Sequence, residues 1–284
     1  MFGRGTRIAP RYFVRAVGLL LLCGILAWAE VSPRELVRQS IANGEKAWKL
    51  SRQYEFRETD TEERLDGSGE VKSRSTSVMD VFPVGATSYE KLIQKNGRPL
   101  TPEQSQKEEQ KLLKTRNERQ RETPGQRTAR LAKEERDRSF MKEVPDAFDF
   151  KMVGQEHLPT GDAWVLEAAP RPGFQPRSRY ARTFPKMRGK LWIDKKDVQW
   201  VKADAEAMDT VSFWFFLARL AKGSHIVLEQ TRLPDGNWVP KSLRAQASAR
   251  VMLVKSYRFR ENITYSDYRK VPRDTGLSAA KRER

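Results

Sequence analysis

The chain reads as a mainly β, α+β fold: one strongly curved antiparallel sheet of about ten strands with helices laid against one face. Three observations predict it. Apolar and polar residues alternate with a period of two through most of the chain from Gln53 onward. The alternating segments are joined in series by turn signals such as Asp66-Gly67-Ser68-Gly69, Asn96-Gly97 and Pro234-Asp235-Gly236-Asn237. Helical patterning is confined to residues 33–50 and 101–143. Strands joined in this way form a meander. An open sheet of that size must curl or be covered, because its apolar face cannot be left in water.

The first 29 residues have a different character. Arg4, Arg7, Arg11 and Arg15 precede the apolar run Val17 to Leu26, and Ala27-Trp28-Ala29 is a small-x-small site before Glu30. That order is expected of a secretory signal peptide, cleaved after Ala29, which sends the protein to the periplasm. The run is too short to span a bilayer, which takes about 20 apolar residues. Cys23 is the only cysteine and lies inside this segment, with Leu22 where lipid attachment would need a small residue. The exported chain is then expected to hold no thiol, so a packed core and not disulfides must stabilise it. The whole chain is formally +17. Its cations are dispersed along strands with acids among them, which reads as solvated faces, or as attraction to an anionic membrane surface. Export argues against a nucleic-acid partner.

Each element has a local reason. Ser32-Pro33-Arg34-Glu35 is a capped helix start, and Leu36, Val37, Ile41, Ala42 and Trp48 follow at helical spacing, giving an amphipathic helix over 33–50. Tyr54 to Leu65 and Glu70 to Phe82 form a hairpin, and Thr87 to Lys95 a third strand. Residues 101–143 open at Thr101-Pro102 and are rich in Lys, Arg, Glu and Gln; Pro124-Gly125 divides them into two helices. Leu112, Leu113, Leu131, Phe140 and Met141 supply a thin apolar stripe, which makes this insertion a candidate lid, with Leu112, Leu113, Leu131 and Phe140 as lid residues, as well as a solvated appendage. Strands are expected over Phe148 to Glu156, Ala163 to Ala169, Gly189 to Ile193, Val198 to Ala205, Ser224 to Leu233, Trp238 to Ala249 and Val251 to Tyr265, with a loop over 170–180. Val211 to Leu220 is the most apolar stretch and is compatible with helix, strand or membrane contact. Residues 272–284 form a charged, frayed tail.

Little in the sequence points to catalysis. There is no G-x-S-x-G, P-loop or G-x-G-x-x-G, and the two histidines, His157 and His225, lack metal-ligand neighbours at usable spacing. No catalytic residue, metal or cofactor is assigned. A hydrolase would need a cluster gathered by the fold around one of the histidines. The aromatic and aliphatic residues of the C-terminal half are more suggestive. Leu191, Ile193, Trp200, Phe213, Phe216, Ile226, Leu228, Leu243, Leu253 and Tyr257 are candidates for a core face or for the lining of a ligand cavity.

Gly189-Lys190-Leu191-Trp192-Ile193-Asp194 resembles the G-x-apolar-W-apolar-D strand and turn of periplasmic lipoprotein carriers of the LolA/LolB superfamily and their sensor relatives. Asp235-Gly236-Asn237-Trp238-Val239-Pro240 and Tyr265-Ser266-Asp267-Tyr268 are similar to the closing hairpins of exported proteins grouped with them. The resemblance implies an unclosed half-barrel whose concave side is plugged by helices, spanning residues 30–271. It also implies a cavity for acyl chains, with the strand from Asp197 to Ala203 facing it. The insertion 101–143 is longer than the lid of that family. The expected function is a non-enzymatic carrier or sensor of a lipid, an acylated protein or another amphiphile. The alternative is an envelope scaffold protein that docks an acidic partner through its basic insertion.

Overall fold

The first described element is helix α1, Pro33–Ser51. Ser32 caps it: its Oγ accepts a hydrogen bond from the Glu35 backbone N–H at 3.2 Å, and Pro33 sits where no N–H is needed. Leu36, Val37, Ser40, Ile41 and Ala47 form its buried stripe. The computed structural model describes residues 32–213, 218–251 and 255–271, with 212, 213, 218–220, 249–251 and 255–257 described in their backbone alone. The signal-peptide segment and the tail after Val271 therefore lie outside the described residues. No described helix is long and apolar enough to cross a membrane.

After α1 come strands β1 (Tyr54–Leu65), β2 (Val71–Val84), β3 (Thr87–Lys95) and β4 (Arg98–Pro99). Helices α2 (Pro102–Arg121) and α3 (Pro124–Arg138) follow, then a 3₁₀ turn (Ser139–Glu143) and the short α4 (Val144–Ala147). The rest is β5 (Phe148–Leu158), β6 (Gly161–Pro170), a second 3₁₀ turn (Tyr180–Lys186), β7 (Met187–Asp194), β8 (Trp200–Ala207), β9 (Val211–Phe213), β10 (Ala218–Leu220), β11 (His225–Arg232), β12 (Trp238–Val251) and β13 (Lys255–Lys270).

Among the described residues these strands make one antiparallel sheet in the order β4-β3-β2-β1-β13-β12-β11-β8-β7-β6-β5, with β10 paired to β12 and β9 to β10. The end strands β4 and β5 do not meet, so the sheet is open. The fold is thus α+β, mainly β, with an N-terminal helix, as the alternation predicted. Neighbours in the sheet are neighbours in sequence except at β1–β13, β8–β11 and β10–β12, and the α2–α3 segment carries the chain from one end of the sheet to the other.

The register aligns one face into rows. One row runs Asp60, Ile263, Leu243, Leu228, Ala203, Leu191, Leu166, Met152. The next runs Glu62, Glu261, Ala245, Ile226, Ala205, Gly189, Ala168, Phe150. Helix α1 lies on the apolar end of these rows, where Leu36, Val37 and Ile41 pack on Leu166, Leu191 and Ile193. Two small residues set close approaches. A Cβ on Gly189 would stand 2.1 Å from the Asp204 carbonyl oxygen, and one on Gly44 would stand 2.9 Å from the Trp200 indole nitrogen. On the opposite face Trp192 packs with Ala163 and Val165, donates from Nε1 to Glu156 at 2.6 Å, and lies under Lys202.

Local differences from the sequence reading have local causes. β8 begins at Trp200 and not at Val198, because Val198 has φ 49° and the Asp194–Gln199 turn is closed by Asp194 N–H to Gln199 C=O at 2.8 Å. The Asn43 amide on α1 donates to the carbonyls of Asp197 and Val198 and holds that turn. Tyr180–Lys186 coils into a 3₁₀ turn that has no apolar period to announce it. Val211 to Leu220 supplies the strands β9 and β10 at its two ends, and 214–217 fall outside the described residues.

Candidate functional site

Between α1 and the sheet lies a cavity of about 270 Å³. Its floor is Gly189 and Leu191 of β7, Ala203 and Ala205 of β8, and Ile226 and Leu228 of β11. Its roof is Ile41 of α1, Phe140 and Met141 of the first 3₁₀ turn, and Val144 of α4. Phe148, Phe184, Met187 and Trp200 wall it. The void follows from the register: Gly189, Ala203 and Ala205 stand where larger side chains would fill the space under the roof. Thr183, Arg188, Lys190, Asp204 and Ser224 also border it, but the surface turned to the cavity is nearly all apolar, so the cavity suits hydrocarbon and offers water few partners.

The roof is pinned by polar contacts. Glu143 is buried, and its carboxylate accepts hydrogen bonds from the backbone N–H groups of Arg177 and Ser178, each at 2.8 Å. Burial works to raise this carboxyl; the hydrogen bonds from Ser178 and Arg177 outweigh it and hold the group below the usual carboxylate range. Phe140 packs against Tyr180 and Phe184, and Phe184 against Phe148, so the two 3₁₀ turns brace one another.

The α2–α3 segment is docked on both sides. The Trp48 ring of α1 is held between the Arg52 and Arg138 guanidiniums, at 4.1 and 4.3 Å from its centroid. Arg52 pairs with Glu134 and Lys49 with Glu135 of α3. Arg130 pairs with Glu122 and donates to the Gly85 carbonyl and the Thr87 hydroxyl at the β2–β3 turn. On α2, Glu109 pairs with Lys91 of β3, and Leu112 is buried.

Leu191, Trp200, Ile226 and Leu228 line the cavity, as does Phe140 of the lid set. Ile193 is wholly buried under α1, outside the lining, and Leu243 lies one strand beyond Leu228. Phe216 and Leu253 lie outside the described residues, and Phe213 and Tyr257 are described in their backbone alone. Leu112 and Leu113 do not cover the cavity. They sit in a separate groove of about 470 Å³ beside Arg57, Phe82 and Lys91, because α2 packs on β2 and β3. Leu131 is half-buried on α3 and is no part of the lining. The sequence reading missed Phe148, Phe184 and Met187 as wall residues. They come from two strand starts and a 3₁₀ turn, where no periodicity marks a face.

The histidines each meet one carboxylate. His157 Nδ1 lies 2.7 Å from Asp162 Oδ1 on the surface, and His225 Nε2 lies 2.5 Å from Asp204 Oδ1. Among the described residues no Ser or Thr hydroxyl hydrogen-bonds either ring, and no group of His, Cys, Asp and Glu is arranged to hold a metal ion.

No protein-family model matches the chain, and no curated protein matches it. Solved structures similar to it include an outer membrane lipoprotein-sorting protein domain from Vibrio parahaemolyticus, at 12% identity and TM-score 0.35, covering 86% of this chain and 96% of that one. A DUF1329 family protein from Desulfovibrio piger is similar at 14% identity and TM-score 0.29, covering 88% and 96%. MucB, solved in complex with MucA(peri), is similar at 11% identity and TM-score 0.25, covering 82% and 99%. The cavity itself therefore carries the functional reading.

Proposed function

We propose that the protein is an exported, non-enzymatic carrier or sensor that shelters the apolar chain of a lipid, an acylated protein or another amphiphile. The observation that supports this most is the apolar cavity of about 270 Å³ under α1. Its volume equals that of about nine liquid waters, which suits the end of one hydrocarbon chain and not a bundle of them. Moving such a chain out of water is favourable by roughly 25 cal/mol per Å². Export rests on the residues before Glu30 alone. The alternative, docking of an acidic partner by the basic insertion, has less support, since Lys111, Arg119, Arg130 and Lys133 are each paired with an acid of the same segment.

A polarity-sensitive fluorescent acyl probe tests the reading. The purified protein is expected to raise its emission, and a long-chain fatty acid to compete it off. Ala205→Trp, which fills the floor, is expected to abolish the enhancement while the far-ultraviolet circular dichroism stays unchanged; Ala205→Leu serves if the larger side chain prevents folding. An absent enhancement, or one that the filled cavity retains, sinks the proposal.

A further inference from the structure

Among the described residues, half of the face that carries α1 has little helix against it. Helix α1 packs on β5, β8 and one end of β12; the contacts of β1 and β13 with described helices are slight, as where Phe56, Arg57 and Asp267 share a groove with Leu112 and Leu113 of α2. On this open half the chemistry of the face changes. The rows that are apolar from Met152 to Ile263 and from Phe150 to Ala245 end on Asp60 and on Glu261. Glu58 stands opposite Tyr265 on one side and Met79 on the other, and Glu90 stands opposite Val81.

These carboxylates are unmatched in a chain formally at +17. Glu58, Asp60, Glu90 and Glu261 form no ion pair among the described residues, although acids elsewhere on the sheet are paired, Asp80 with Arg57 and Glu63 with Arg74 for example. Asp60 Oδ1 is buried without a hydrogen-bond partner, a state that costs free energy until a donor arrives. Burial, and then repulsion from neighbouring acids, raises three of these carboxyls: Glu90, Asp60 and Glu261 act on Glu58, Glu62 acts on Asp60, and Asp60 and Glu62 act on Glu261. Beside them Phe56 stacks on Tyr268 at 4.9 Å and meets Tyr265 edge-on at 6.0 Å, so the same surface has an apolar, aromatic border.

We propose that this open half of the sheet face docks a positively charged amphipathic helix of a partner protein. Its apolar residues would lie on Ile263, Leu243 and Tyr265, and its Lys or Arg residues against Glu58, Asp60 and Glu261. The shape of the occupant follows from the sheet. β1 and β13 are paired on both sides, so their backbone offers no edge to an added strand. Helix α1 already shows what lies well on this face, an amphipathic helix with its apolar stripe inward. The charge follows from complementarity: the carboxylates here lack a cationic partner, whereas the chain's net positive charge disfavours a cationic helix in general. An anionic bilayer surface would be repelled by the same carboxylates. The surface shares no lining residue with the cavity, although Leu243 stands opposite Leu228 of the cavity floor.

The test is fluorescence anisotropy with a labelled helical peptide of about five turns that carries Lys on one face and Leu on the other. Saturable binding that weakens with added salt is expected. The triple variant Glu58→Gln, Asp60→Asn, Glu261→Gln is expected to weaken it by about ten-fold or more, and to leave the acyl-probe signal of the cavity unchanged. A photo-reactive group on the peptide's apolar face gives a check that needs no variant, with adducts expected within residues 54–65, 238–251 or 255–270. Absence of binding, equal binding by the triple variant, or adducts confined to other segments would overturn the proposal. So would stronger binding to vesicles of anionic lipid that the triple variant abolishes.

Discussion

Glu58 shows how one side chain can set a pH response. Burial, and then the neighbouring charges of Glu90 on β3, Asp60 on β1 and Glu261 on β13, push its carboxyl up to about 7 from an ordinary 4.5. Tyr265, which also faces it, is itself raised by burial and by these acids. The folded protein thus binds the proton more tightly than the unfolded chain does. The sign follows: stability is fullest below the unfolded value near 4.5 and declines as pH rises through about 7. Glu58→Gln removes the charge and is expected to raise the melting temperature at pH 8. Because the group is only half-buried, screening holds the gain to about 1 kcal/mol, roughly 2–4 °C for a domain of this size. At pH 4 the difference should vanish. Equal melting temperatures at pH 8 would show that the acids do not strain the fold. Part of this was legible in the sequence. Tyr54, Phe56, Glu58, Asp60 and Glu62 share one parity of β1, so the strand passes from aromatic to acidic along one face. Which face that is depends on the pairing with β13, some 200 residues away, and no local pattern carries it.

At the scale of elements, legibility tracked the strength of local signals. Helix α1 was readable because a capping Ser, a Pro in the first turn and an apolar stripe agree. The two helices of residues 101–143 were readable because Thr101 and Thr123 each form a capping box, the second just before Pro124. The 3₁₀ turns at Ser139–Glu143 and Tyr180–Lys186 roof and brace the cavity; Phe140 of the first was readable as part of an apolar stripe, but no period marks the second, so that wall stayed hidden. What those helices rest on was equally invisible. Their anchor is Trp48, which the sequence placed on the packing stripe of α1 and which proves to be clasped by Arg52 and Arg138. Arg138→Met keeps most of the contact area and removes one cation. If the clasp holds α3 to α1, local opening should become easier by about 1–2 kcal/mol, and limited proteolysis within residues 124–138 should quicken about 5- to 30-fold. Cleavage at the wild-type rate would mean that the ion pairs Arg52–Glu134 and Lys49–Glu135 suffice by themselves.

At the scale of the whole molecule, the segment that reads as an insertion is the connection on which the sheet depends. β4 and β5 are consecutive strands, yet they stand at opposite ends of an eleven-strand path. At about 4.8 Å per strand that path is roughly 50 Å long, and curvature shortens the direct distance between its ends. Helices α2 and α3, at about 1.5 Å per residue, supply about 30 and 22 Å of the crossing. Docking on β2–β3 and then on the end of α1 steers them around the sheet. A meander in sequence order would have put β5 beside β4. The long-range pair β1–β13 at the middle and this crossover at the ends are one topological fact, since joining the first and last strands leaves β4 and β5 as the edges. The consequence is testable by length. Replacing residues 101–143 with about six Gly/Ser residues gives a reach of roughly 20 Å, too little for the crossing. That variant is expected to lose its cooperative melt and to aggregate through its unpaired strands. A flexible linker of about 40 residues spans the gap, so it should restore β-sheet circular dichroism, with lower stability for want of the α1 and β2–β3 contacts. If the short-linker protein instead melts as cooperatively as the wild type, residues 101–143 are an appendage after all, and β5 reaches its place by another route.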